Sequence, residues 1–153
     1  MNRLRLRKWR VECCGKLVFV CKSAEAGTLR EFLGGSYDTI EAMANACGTL
    51  VDDNRLSIKA NWKITVENTL ESYHVSFIHP KTFAALGVSE GEFGWQDSHS
   101  SWETALSPSV TSRMNRFMAL VDDRPAKFPG YFHQLVFPNI TLATTCGTTF
   151  SIQ

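Results

Sequence analysis

Two histidines and an acid crowd one short stretch of this chain. His74 and His79 are two of only four histidines, they stand five residues apart, and Glu71 precedes the first by three. A neutral imidazole is the commonest side-chain ligand for a borderline divalent metal, so the pair offers two adjacent corners of a metal site. The spacing is not the i, i+4 of a zincin helix, and no third ligand stands nearby, which argues against a zinc hydrolase. Five residues of continuous helix turn through about 500°, carrying His79 off the face of His74. Both rings therefore reach one ion only where the helix ends or loosens between them, and Pro80 with the β-branched Val75 and Ile78 favours such a break. Glu71 shares the face of His74. It is placed to hold the imidazole in one tautomer, carry a proton or bind metal directly. Spacing by itself leaves the alternative of helix-end histidines satisfied by backbone.

These residues ride on a predicted helix. Asn61 caps it, Trp62, Ile64, Val66, Leu70 and Tyr73 lie along it, and Pro80 ends it at the latest. Upstream, residues 11–14 and 16–21 are β-rich runs around Gly15, a hairpin or a bulged strand. A short helix over 28–33 is stopped by Gly34-Gly35, and 37–46 has helical spacing at Ile40, Met43 and Ala44. Residues 50–60 read as a strand. Downstream, strand-like pieces surround Trp95 and Trp102, a helix covers 110–121, residues 122–130 form a loop, and strands over 131–137 and 141–152 are broken by Pro138-Asn139 and Gly147. Strands before, between and after the helices, with hairpin signals among the late ones, predict an α+β fold on an antiparallel sheet.

Composition narrows the class. The chain has 153 residues, the length of one ordinary domain, with 44% hydrophobic and 20% charged residues, which is neither disordered nor membrane-like. A net charge of +1 gives no field towards nucleic acid or acidic lipid, and no apolar run approaches the roughly 20 residues of a membrane span. Arg3, Arg5, Arg7, Lys8 and Arg10 alternate in part with Leu4 and Leu6, as in an exposed strand, rather than forming a nucleic-acid arm or transit peptide. Five cysteines and no secretory signal predict a reduced, cytoplasmic protein with mostly buried or inert thiols. The last residues read as strand up to the end, which suggests a fragment of a longer or split polypeptide.

The string Asn61-Trp62-Lys63, Glu67-Asn68, Glu71, Tyr73-His74 and His79-Pro80 resembles the catalytic-domain signature of the Rieske non-haem iron oxygenase α subunits, the aromatic-ring-hydroxylating dioxygenases and related monooxygenases and demethylases. Residues 15–20 and 29–34 resemble the exit from the family's Rieske domain, and Phe137-Pro138-Asn139 with the Thr-rich strand after it resembles the catalytic sheet. The resemblance implies that residues 1–22 are the end of a Rieske-type domain or lead-in strands, and 23–153 a partial mononuclear-iron catalytic domain of helix-grip, START-like architecture. His74 and His79 would be two ligands of an Fe(II) facial triad, Glu71 the acidic residue facing a neighbouring subunit's Rieske histidine, and Asn68 a residue lining the iron pocket. Trp62 reads as core and Lys63 as solvated or ion-paired.

The intact enzyme would take electrons from a reductase or ferredoxin, activate O₂ and hydroxylate or demethylate a small organic substrate, as a homotrimer. Two departures qualify this. No cysteine among Cys13, Cys14, Cys21, Cys47 and Cys146 has histidines at Rieske offsets, so a [2Fe–2S] cluster is expected only in the intact protein and not in this chain. The third iron ligand is missing, since Asp97, Asp122 and Asp123 do not stand at a matching place, so the isolated chain is expected to be inactive. The alternative is a degenerate or split helix-grip module that binds an apolar ligand or partner subunit without catalysis. His99 reads as a surface residue. His133 lies in a predicted strand, with a core or surface role favoured over a pocket position. Trp95, Trp102, Phe117, Met118 and Phe128 read as core rather than substrate box.

Overall fold

The computed structural model describes residues 7–88, 91–120 and 128–153. The strand reading of Leu4 and Leu6, Asp122 and Asp123, and most of the loop before Phe128 lie outside the described residues. Gly15, with φ +56°, turns β1 (Arg10–Cys14) into β2 (Leu17–Cys21) as an antiparallel hairpin with Cys14 opposite Leu17. A Cβ at Gly15 would lie 2.8 Å from the Glu41 carbonyl oxygen, so the turn must be glycine to pack on the following helix.

Helix α1 (Leu29–Leu33) starts at a capping box. The Thr28 hydroxyl accepts from the Glu31 N–H, and the Glu31 carboxylate accepts from the Thr28 N–H. Glu12 of β1 accepts the Leu29 N–H at 3.1 Å, which ties the hairpin to this helix. A 3₁₀ turn (Gly34–Ser36) leads into α2 (Tyr37–Ala46). The expected strand over 50–60 is absent: that stretch has no regular structure, and Leu50, Val51 and Leu56 stay exposed. Alternation without a neighbouring strand to complete a ladder gives no sheet.

Helix α3 (Trp62–Leu70) is capped by the Asn61 side chain, which accepts from the Lys63 N–H at 3.1 Å. It buries none of its residues. Trp62, read from sequence as core, is 47% exposed, because no described element covers that helix. The single turn α4 (Val75–Ile78) and a 3₁₀ turn (Ala84–Leu86) follow.

The remaining strands form one antiparallel meander, β3 (Glu92–Gln96), β4 (His99–Thr104), β5 (Tyr131–Val136), β6 (Ile140–Thr145) and β7 (Thr149–Ile152), with α5 (Pro108–Met118) between β4 and β5. The expected α+β fold on an antiparallel sheet is what forms. Side chains alternate between its faces. Phe132, Val136 and Leu142 belong to a cluster with Leu33, Ile40 and Met43, so α1, α2 and the hairpin cover one face. Trp102 and Tyr131, on the other face, pack with Val75, Val88, Leu106 and Val110. The sheet is therefore sandwiched between two apolar clusters, and the second carries the histidine segment.

His99 is a correction to the sequence reading. It is buried at 1% exposure, donates from Nε2 to the Phe32 carbonyl at 2.8 Å and accepts the Phe137 N–H on Nδ1 at 3.1 Å. As the first residue of β4, on the face turned to α1, it joins that helix to the end of β5. Gln134 and Ser36 extend this polar seam: Gln134 Nε2 donates to the Ser100 carbonyl at 3.0 Å and to Ser36 Oγ at 3.3 Å. Ser36 Oγ donates in turn to Gln96. Of the cysteines, Cys14 and Cys146 are buried, Cys21 and Cys47 partly so, and Cys13 is exposed, so fewer are hidden than expected.

Candidate metal centre

The helix breaks between Glu71 and His74. α3 stops at Leu70, and Glu71 adopts extended backbone (φ −98°, ψ 154°) while its N–H still reaches the Glu67 carbonyl at 3.3 Å. The chain then re-enters helix for one turn, with His74 at its N-cap and His79 at its C-cap. Ile78 N–H bonds the His74 carbonyl at 2.8 Å and His79 N–H the Val75 carbonyl at 3.0 Å. The break thus falls before His74 and not, as the sequence suggested, between the histidines: one helical turn still joins them, and their ring centroids lie 5.4 Å apart at 71°. With metal–nitrogen bonds of about 2.1 Å, each ring centre sits roughly 3 Å from a shared ion, so this separation suits two ligands on one metal.

Glu71 holds His74. Its carboxylate accepts from His74 Nδ1 and, at 3.2 Å, from the His74 backbone N–H. A carboxylate only accepts, so the proton resides on Nδ1 and the lone pair on Nε2. That is the arrangement in which a metal-binding histidine is held by its other nitrogen. Among the described residues no group of three His, Cys, Asp or Glu side chains is placed to hold a metal; the two imidazoles are donors of a kind that suits Fe(II). Asn68 stays exposed on α3, and no hydrogen bond joins it to either histidine among the described residues.

A file of rings ties this centre to the sheet. His79 contacts Phe83 edge-on at 5.8 Å, Phe83 contacts Tyr131 at 5.6 Å, and Tyr131 tilts against Trp102 at 5.3 Å. Val75, buried in the cluster with Trp102, docks the single turn between the two histidines. Burial raises the Tyr131 phenol above its ordinary range. Phe83 and Tyr131 were missed in the sequence. The available signals were Phe83 four residues after His79 and Tyr131 two before His133 on an alternating strand. Trp102 stands in the core, as expected, but also in this file, whereas Trp95 and Phe117, also read as core, are exposed; His133 is buried on the same sheet face as Trp102.

A family model described as ring hydroxylating alpha subunit (catalytic domain) matches residues 30–153. The chain belongs to that family. Among curated proteins and among solved structures no match is found. The ring-hydroxylating domain supports an oxygenase-type oxidoreductase role for the protein this family describes. None of the described helices is long and apolar enough to cross a membrane. The match begins within α1, so the family assignment runs on through α2, the histidine segment and the whole meander, and leaves the β1–β2 hairpin outside.

Proposed function

We propose that this chain is the part of a Rieske-type oxygenase α subunit that holds mononuclear Fe(II) and receives a small organic, aromatic substrate. The observation that carries the reading is the pair of imidazoles 5.4 Å apart at the two ends of one helical turn, with Glu71 on one of them. When bound, the iron would supply dioxygen activation, with electrons from a reductase or ferredoxin passed through a Rieske cluster in the intact, cytoplasmic trimer. His74 and His79 hold two positions, and a carboxylate beyond the described residues completes the set.

The residues of this chain do the rest. Glu71 keeps His74 in the metal-binding tautomer and, through that contact, stands where charge exchange with a neighbouring subunit's Rieske histidine enters. Phe83, Tyr131 and Trp102 form an apolar wall that orients a flat ring and excludes water beside the histidines. Asn68 is proposed to line the iron pocket from α3.

Anaerobic Fe(II) titration, with Co(II) as a spectroscopic stand-in, tests the reading on wild type, His74→Ala and His79→Ala. Weak binding in wild type that falls at least about tenfold in each variant is expected. Equal affinity in all three proteins sinks the assignment and leaves the non-catalytic ligand-binding module.

A further inference from the structure

Among the described residues, the buried side-chain nitrogens and oxygens without a hydrogen-bond partner are Ser100 Oγ, Trp102 Nε1 and both ring nitrogens of His133. They are not scattered. Ser100 and Trp102 are two apart on β4, and His133 stands directly opposite Trp102 on β5, so all three side chains share one face of the sheet. That face also carries Tyr131, and through Phe83 it meets His79. The polar groups buried on the opposite face, His99 and Gln134, are bonded to backbone and side chains. Buried polar groups are ordinarily paired, so a row of unpaired ones on the face turned to the metal centre marks a place where a bound molecule completes the bonding.

There is room beside it. A cavity of about 640 Å³ is lined by Gly91, Thr104, Leu106 and Tyr131, among others. Thr104 and Tyr131 are the register pair next along the same face from Trp102 and His133. Gly91, part of that lining, packs against the indole, where a Cβ would lie 2.3 Å from Trp102 Nε1.

We propose that His133, flanked by Ser100 and Trp102, receives an uncharged oxygen substituent, a hydroxyl or a carbonyl, on an aromatic substrate whose ring lies along Tyr131 and Trp102. This deepens the oxygenase reading and rests on it for the substrate's aromatic ring. The donor set is neutral. Burial lowers the His133 pKa to about 4, so the imidazole offers one N–H and one lone pair, and the indole and hydroxyl supply further donors. Among the described residues no cation lines the cavity, and its charged side chains, Glu92 and Glu103, are both acidic. An anionic ligand would meet repulsion from these two carboxylates on the way in.

The test uses the metal-free chain with ¹⁵N-labelled histidine and the probes phenol, benzene and benzoate. Phenol should move the His133 ring nitrogens in long-range ¹H–¹⁵N spectra and bind about tenfold more tightly than benzene, with benzoate weaker than phenol. In His133→Leu the phenol affinity should fall to that of benzene while the thermal midpoint holds or rises, since an apolar side chain of similar size replaces unpaired nitrogens. Ser100→Ala, a smaller change, should weaken phenol by a few-fold and leave benzene unchanged, which keeps the proposal testable if the leucine variant misfolds. Equal affinities for phenol and benzene in wild type, phenol binding undiminished in both variants, or benzoate binding tighter than phenol would each overturn it. The readout needs no iron, so a failed Fe(II) titration at His74 and a failed phenol response at His133 are separate results.

Discussion

Both oxygens of the Glu71 carboxylate are taken up by His74, one by ring Nδ1 and one by the backbone N–H at 3.2 Å. The second bond lies at the start of α4, where the first helical N–H groups lack intrahelical partners. One side chain thus caps the turn and fixes the tautomer of the imidazole, with the lone pair on Nε2. The extended backbone of Glu71 at the end of α3 is what allows it.

Glu71→Gln should therefore weaken Fe(II) binding about tenfold without unfolding the chain, since the amide oxygen still accepts one of the two bonds. Glu71→Ala should cost more, because both donors on His74 lose their acceptor. Anaerobic titration of the two variants beside wild type measures this, and identical affinities would show that Glu71 does not tune the ligand.

The buried imidazole of His133 makes stability depend on pH. Its folded pKa is about 4, below the ordinary 6.5, so the unfolded chain binds the extra proton between those values. The stabilisation is whole above pH 6.5, declines as pH falls and is lost near pH 4, an amount of about 3 kcal/mol. His133→Leu should flatten that part of the profile. Urea midpoints at pH 7, 5.5 and 4.5 for both proteins check it, and parallel profiles would count against the burial argument.

Cys13 and Cys14 are neighbours on opposite faces of β1 and should differ sharply in reactivity. Cys13 is exposed, while Cys14 is fully buried and desolvation pushes its thiol up to about 11. At pH 8 iodoacetamide should alkylate Cys13 within minutes and leave Cys14 and Cys146 unmodified until the chain is denatured. Peptide mass mapping reads the order, and equal labelling of the pair would contradict the packing of the hairpin on α2.

Leu33 is fully buried between α1 and the sheet, so Leu33→Ala should destabilise by about 2–5 kcal/mol. Gly91→Ala should cost about 1–3 kcal/mol for a different reason, since its Cβ would lie 2.2 Å from the Glu103 carbonyl oxygen. Denaturant melts compare the two. A neutral alanine at 91 would mean that β3 lies farther from β4 than described.

The chain's periodicities, caps and turn residues were sufficient for much of this architecture. Thr28 with Glu31, Gly34, Asn61, and the alternation in residues 131–136 and 140–145 act on their own backbone or the adjacent strand, so their effects are local and legible. His74, His79 and Glu71 were likewise legible as a constellation, because their spacing is short and the surrounding string is distinctive. The helix break was foreseeable in kind but not in place: the helix ends at Leu70, well before Pro80, because the Glu71 carboxylate and the docking of Val75 outweigh helical propensity there. Tertiary structure alone decided the rest. Whether His99 lay at the surface, Trp62 in the core, or His133 in a buried row of unpaired polar atoms depended on which element came to cover each residue. Burial is a property of partners distant in sequence, and a residue type with local spacing carries no record of them.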